Sequence, residues 1–352
     1  MIWSPHAYRF ACCTVPRRSC ACLGWSGAAH IGSHARQAGA ALLTAMLTVA
    51  LVASLAAGAL WQQWRNAEVE AAERARVQSL WVLTGALDWA RLILREDARS
   101  GGADYLSEPW AVPLEEARLS TFLAADKNST PDDDSSASQT FLSGLITDLQ
   151  ARLNVTNLVD GDKVSEPSLK AFAKLFETLG LPPGELVAMA ENLRLALDTA
   201  PGNDVAQLSP LLPQRLDQLV WLGLSPHSLS MLRPYITLLP VRTPVNLNTA
   251  SATVLLACIP SLDMAQAQRL VNTRQAAHFR TLADVTAQLG QMAVPLNEAQ
   301  HSVNSRFFEI QGRLRLDQTV VEEHSLVQRD GIDVKTLWRD RGSHGRHNSP
   351  LQ

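Results

Sequence analysis

The residue types able to do chemistry in this chain are few and widely spaced. Asp160 and Asp162 flank Gly161, a turn that offers the hard carboxylate oxygens calcium takes. Asp132, Asp133 and Asp134 form a second acidic run, but the surrounding KNSTPDDDSSASQ stretch (127–139) has too few hydrophobes to frame a cage and reads as a flexible surface loop. His278, His301 and His324 stand without a nucleophile at informative spacing, and no Gly-x-Ser-x-Gly, His-Glu-x-x-His or phosphate loop occurs, so the chain reads as no enzyme. Cys12, Cys13, Cys20 and Cys22 precede a long apolar run and only Cys258 follows it, in VLLACIP, where a small buried hydrophobe is the natural reading. Arg269, Arg274 and Arg280 read as a solvated basic face, and Trp81 and Trp89 as anchors of a helix on a sheet rather than a ligand box.

The elements that would position these residues begin with the apolar run. From Ala40 to Leu60 no charge interrupts a sequence rich in Ala, Leu and Val, and at helical rise it crosses a hydrocarbon core of about 30 Å, which takes roughly 20 residues. Residues 40–61 are therefore expected to span a membrane once, with Trp61 and Trp64 at the headgroup boundary. Arg17, Arg18 and Arg36 lie before the span and acidic residues dominate just after it, which places the bulk of the chain outside the cytoplasm. Residues 1–39 read as a leader that is removed, or that in part precedes the true start. Beyond the span, Leu80, Leu83, Leu87, Ala90 and Leu94 form an apolar stripe at helical spacing, so the same helix enters a globular part.

A net charge of -3 gives no basic excess for phosphate backbones, and nucleic acid is not an expected partner. SGGADYLSEPWAVPLEE reads as a loop around a buried Trp110, and Phe141 to Asn157 as one or two strands bounded by Gly144 and Asn157. Helices are expected at Pro167–Leu179, Pro183–Leu197, Pro213–Leu222, Pro226–Leu232, Ala250–Ile259, Asp263–Ala276 and Thr281–Leu289. From Ser305 the period returns to two in SRFFEIQGRLRL, QTVVEEHSLVQR and DVKTLWRDR, with Asp330 and Gly331 turning the last pair. The order predicts an α+β fold: a long amino-terminal helix packed on an antiparallel sheet, with a helical block inserted into it. The expected parts are 62–164, the inserted block 165–300, closing strands 301–341 and a disordered tail 342–352.

With these pieces in place, the chain resembles the type II secretion system protein K family, the large minor pseudopilins. The residues that carry the likeness are the Gly39–Ala40 junction with its apolar span, WVLTGALDWARLILREDARSGGADYLSEPWAVP, GLITDLQARLNVTNL, TPVNLNTASATVLLA and VVEEHSLVQRDG. The resemblance implies a pilin-like fold and cleavage by prepilin peptidase after Gly39, giving a mature chain that starts at Ala40 and is open to N-methylation there. It implies Thr44 at the fifth mature position, where most pilin-like proteins have Glu. An unpaired carboxylate inside a low-dielectric bundle is costly, so Thr44 suits a subunit with no neighbour above it at that contact. The implied partners are the minor pseudopilins I and J, the major pseudopilin, the inner-membrane assembly platform and prepilin peptidase. The implied place is the inner membrane, single-pass, with the globular part in the periplasm. No cofactor is required; a structural Ca2+ is the one metal the resemblance allows.

The competing reading is a membrane-anchored helix-hairpin-helix DNA-binding protein of the competence-receptor type, because Val245 to Val285 also resembles such a segment, SAM-like in its helices. A DNA-binding hairpin needs Gly and free amides near phosphate. Here the hairpin is Ile259-Pro260-Ser261-Leu262-Asp263, with no Gly, a Pro that lacks an amide proton and an acidic end, so it reads as degenerate.

Overall fold

The computed structural model describes residues 38–119, 140–198, 209–290, 296–316 and 319–342. The leader up to Gln37, the acidic run 132–134 and the tail from 343 lie outside these residues. Helix α1 runs Ala38–Ser100. The chain divides into two units, Met1–Glu68 and Val69–Gln352, described separately below.

In the first unit, α1 from Ala40 onward is exposed along its length, and it is the one helix among the described residues long and apolar enough to cross a membrane. Its polar side chains are satisfied locally. The Thr44 hydroxyl donates to the Ala40 and Ala41 carbonyls at 3.1 and 3.0 Å, Thr48 to Ala45 at 2.8 Å and Ser54 to Ala50 at 2.7 Å. Hydrocarbon offers no other partner for such groups, and return to the preceding turn makes them compatible with it. Trp61 and Trp64 lie with ring centroids 5.6 Å apart, both exposed.

In the second unit, a five-stranded antiparallel sheet has the order β1 (Leu114–Arg118), β2 (Thr140–Asp148), β9 (Phe307–Leu316), β10 (Thr319–Asp330) and β11 (Asp333–Arg341). β2 and β9 pair from Thr140–Leu316 to Asp148–Phe308 although more than 150 residues separate their facing ends. The helical block lies in the chain between these hydrogen-bonded neighbours, so it is an insertion into the sheet, as expected. Leu83, Leu87, Ala90 and Leu94 of α1 are buried against the sheet with Trp110, Ile146, Phe308, Ile310, Val327 and Val334. Gly312 permits the contact, because a Cβ there would lie 3.2 Å from the Leu83 side chain. A cavity of about 240 Å³ remains between α1 (Ala86, Trp89, Ile93), the 109–114 segment and the sheet at Gly144.

Neither tryptophan expected to anchor helix to sheet is buried between them, although Trp89 lines the cavity there. Trp81 is 73% exposed and Trp89 45% exposed. With the sheet-facing row running 83, 87, 90 and 94, position 81 falls two residues off it, nearly opposite on a helix of 3.6 residues per turn. Trp110 is the buried ring, in a T-shaped pair with Phe308 at 5.1 Å between centroids.

The inserted block contains α2 (Glu166–Leu179), α3 (Pro183–Leu197), α4 (Pro226–Leu232), α5 (Ala252–Cys258), α6 (Met264–Ala276) and α7 (Leu282–Leu289). Its core centres on Phe172, Leu175, Phe176, Met189, Leu219, Leu232 and Val254, and it takes in Ala103, Leu153 to Val159 and Val303 from the flanking chain. Short parallel bridges fasten those flanks: β3 (Leu153–Asn154) to β6 (Ile236–Thr237) and β7 (Val245–Asn246) to β8 (His301–Ser302). Three local expectations differ from the structure. β1 forms at the end of the expected loop. β2 runs unbroken through Gly144, the expected strand boundary. Leu216–Leu222 is a 3-10 turn segment, closed by Gly223, rather than an α-helix.

Candidate functional site

Two features of the second unit bear on function: the polar junction where block and sheet meet, and the helix-hairpin-helix segment. The junction forms around Asp148, the last residue of β2. Its carboxylate accepts from the Thr249 hydroxyl at 2.5 Å, the Ser305 hydroxyl at 2.6 Å, the Gln150 amide at 2.7 Å and the Asn246 side chain at 3.1 Å. Burial pushes its pKa up, and these donors pull it back. Asn246 also donates to the Asp104 carbonyl and the Ser305 hydroxyl, so the end of β2, the start of β9, the approach to α5 and the loop after α1 meet at one buried point.

Next to it, the Arg329 guanidinium donates to Asp97 at 2.6 Å, to the Ser305 carbonyl at 2.8 Å and to Asp104, and stacks 4.9 Å over the Phe308 ring. Asp104 also accepts from the Ser305 amide, and burial nonetheless raises its pKa to about 6. Glu108 accepts from the Trp110 ring nitrogen at 2.7 Å and the Tyr105 amide at 3.0 Å; burial raises its pKa to about 7. A sequence scan cannot find this junction, because its members are 148, 246, 249, 305 and 329, each ordinary alone.

The calcium ligands read from the sequence are not a cage. Asp160 ends β4 (Val159–Asp160) and Asp162 follows Gly161, at φ 64, in the two-residue turn to β5 (Lys163–Val164); both acids are exposed and Asp160 pairs with Arg242. The carboxylates that do converge, with oxygens within 4.8 Å of one another, are Asp97, Asp104 and Glu108. Asp97 and Asp104 are bound to Arg329, and burial raises the pKa of Glu108 to about 7. Calcium takes about six to eight oxygen ligands. Neither group fits that demand as arranged.

The three histidines named above each have a structural partner. His278 stacks on Tyr105 with centroids 3.8 Å apart, His301 is buried with Nε2 3.1 Å from the Cys258 carbonyl, and His324 faces Glu309 at 3.2 Å. Cys258 is buried, its thiol pushed up to about 12.

α5, the Ile259–Asp263 hairpin and α6 form the helix-hairpin-helix. Asp263 caps α6, accepting from the Gln266 amide at 2.7 Å while the Gln266 side chain returns to the Asp263 amide. The basic face expected on it is incomplete. Arg269 and Arg280 are exposed, but Arg274 is buried and donates to the Leu247 carbonyl at 2.6 Å, with its pKa lowered to about 10 by burial. The hairpin thus lacks both glycine and a converging set of cations, and the DNA-binding reading finds no support.

Residues 151–241 and 245–304 match two family models, each described as type II secretion system (T2SS), protein K. The type II secretion system protein K of Pseudomonas aeruginosa strain PAO1 is 28% identical over 332 residues, covering 88% of this chain and 94% of that protein. Over most of its length the chain is similar to the type II secretion system protein K. The fold agrees: a chain from the crystal structure of the GspK–GspI–GspJ complex of enterotoxigenic Escherichia coli superposes with a TM-score of 0.59 at 19% identity, covering 77% of this chain and 98% of that one. A type II secretion system protein K is a structural component of that system and not an enzyme.

Proposed function

We propose that the chain is the tip subunit of a pseudopilus, assembling with the minor pseudopilins I and J to initiate and cap the fibre. In this reading α1 anchors the chain once in the inner membrane, prepilin peptidase cuts after Gly39, and the body from residue 62 works in the periplasm with the major pseudopilin and the assembly platform. The observation that carries it is the helical block placed between the paired strands β2 and β9. A subunit repeated along a tightly packed fibre has no room for such an insertion, whereas an end subunit has. Thr44, whose hydroxyl is satisfied within its own helix, supports the same placement, because it makes no demand on a neighbour's amino terminus. The body is proposed to divide as 62–164, 165–300 and 301–341.

The test is isolation from membranes of cells that make the partner pseudopilins. The mature chain is expected to begin at Ala40 and to copurify with I and J in equal amounts. An intact leader on the functional protein, or purification free of both partners, would overturn the proposal.

A further inference from the structure

The cavity beneath α1 lies over one rung of the sheet. Gly144, Gly312, Glu323 and Arg341 are direct cross-strand partners on β2, β9, β10 and β11, so they share the face that α1 covers. Two glycines stand side by side in that rung, and the α1 residues lining the space include Ala86 and Ala90, so the volume of about 240 Å³ comes from side chains the sequence leaves out. The walls are otherwise apolar, built by Leu87, Trp89, Ile93, Trp110, Leu142 and Ile146.

On the β10 side the lining turns polar. Glu323, 3% exposed, and Ser325 both border the cavity. The Glu323 carboxylate accepts from Arg339 Nε at 2.9 Å, from Arg341 Nε at 2.5 Å and from the Ser325 hydroxyl at 3.5 Å. A carboxylate has about four lone-pair sites, so it is able to accept once more. Arg339 faces Ser325 in the next rung, and its Nη2 is the one buried side-chain polar atom without a partner among the described residues. In a guanidinium Nη2 lies on the same side as the Nε hydrogen, which here points at Glu323. A buried donor without a partner is costly, and this one stands beside a carboxylate with acceptor capacity to spare.

A hydroxyl satisfies both, because one oxygen donates and accepts. A ligand carboxylate only accepts and meets Glu323 as a like charge, whereas an ammonium only donates and meets two arginines. An apolar cavity of about 150 Å³ takes benzene, so this larger one has room for a ring with a small substituent.

We propose that the cavity between α1 and the Gly144–Gly312 rung is a binding site for a small monohydroxylated aromatic molecule, its ring among Leu87, Trp110 and Ile146 and its hydroxyl between Glu323 and Arg339 Nη2. Bound there, the ligand joins α1, the 109–114 segment and β10, and makes the seating of the helix on the sheet responsive to a small molecule.

The experiment holds the full chain in lipid nanodiscs, which keep free detergent tails away from the cavity, and measures affinities by fluorine NMR for para-fluorophenol, fluorobenzene and para-fluoroanisole. Nanodiscs without the chain supply the correction for partition into lipid. The phenol is expected to bind at least about tenfold more tightly than the other two, the scale of one hydrogen bond to a charged group. Arg339→Lys keeps a cation for Glu323 but has no Nη2, and is expected to bring the phenol to the level of fluorobenzene. Ala86→Phe, at a half-buried position on the cavity wall, fills the space and is expected to abolish binding of all three. The three affinities on the unmodified chain stand whether or not the variants fold. No saturable binding of the phenol, equal affinities for phenol and fluorobenzene, or phenol binding untouched by either substitution in a folded variant would overturn the proposal.

Discussion

Replacing Asp148 by Ala tests whether the buried junction holds the inserted block to the sheet. The side chain is 2% exposed and accepts four hydrogen bonds. Not all four donors are stranded by its loss. Asn246 keeps the Asp104 carbonyl and Ser305 hydroxyl as acceptors, and the Thr249 hydroxyl can turn to the Asn246 carbonyl at 3.4 Å. The Gln150 amide and the Ser305 hydroxyl lose the acceptor they had. At about 1–3 kcal/mol for each buried donor left without a partner, and with part returned because a buried carboxyl is no longer desolvated, the net loss is about 3 kcal/mol. Asp148→Asn retains one oxygen and loses about 1 kcal/mol. Urea unfolding in detergent, followed by fluorescence of the buried Trp110 among the other tryptophans, reads this as a fall in midpoint of about 1 M or more for Asp148→Ala, at the slopes usual for a chain of this size. Equal midpoints for the Ala and Asn variants, or a loss below about 0.5 kcal/mol for Ala, would refute the reasoning.

Leu94→Ala removes a fully buried side chain between α1 and the sheet and is expected to cost about 3 kcal/mol in the same assay; a cost under about 1 kcal/mol would mean the helix is not held by that row. Stability should also depend on pH in a definite sense. Asp104 and Glu108 have folded-state pKa values raised to about 6 and about 7, so between these values and their ordinary ones the folded chain holds protons the unfolded chain has released. Stability from these groups therefore grows as pH falls from about 7 toward 4.5. His324, raised by Glu309, adds in the same direction, while buried His301, lowered, opposes it below the ordinary histidine value. Glu108→Gln should flatten the rise between pH 7 and 5, and an unchanged slope would count against the assignment. Finally, Cys258 is expected to resist maleimide in the folded mature chain and to react on unfolding; prompt labelling before unfolding would show the thiol is not buried as described.

Most of the architecture was legible because hydrophobic period reports burial directly. The 83-87-90-94 row, the buried Trp110, the closing strands and the helix starts at Ser225, Ser251, Asp263 and Thr281 all announce themselves locally. β1 did not, since an edge strand read LEEAR carries charges that disguise it while serving to blunt the edge. Trp81 and Trp89 misled for the opposite reason: size suggested burial, and the helical phase decided otherwise. Arg274 looked like surface until the fold placed the Leu247 carbonyl beside it. The Asp148 junction has no sequence signal, because it is made by residues that only the topology brings together.

The most direct test of the account is the position of this subunit along an assembled pseudopilus, read by gold labelling of a tag on the carboxy-terminal tail. The account predicts a single label at one end of each fibre. Labels at regular intervals down the shaft would contradict it.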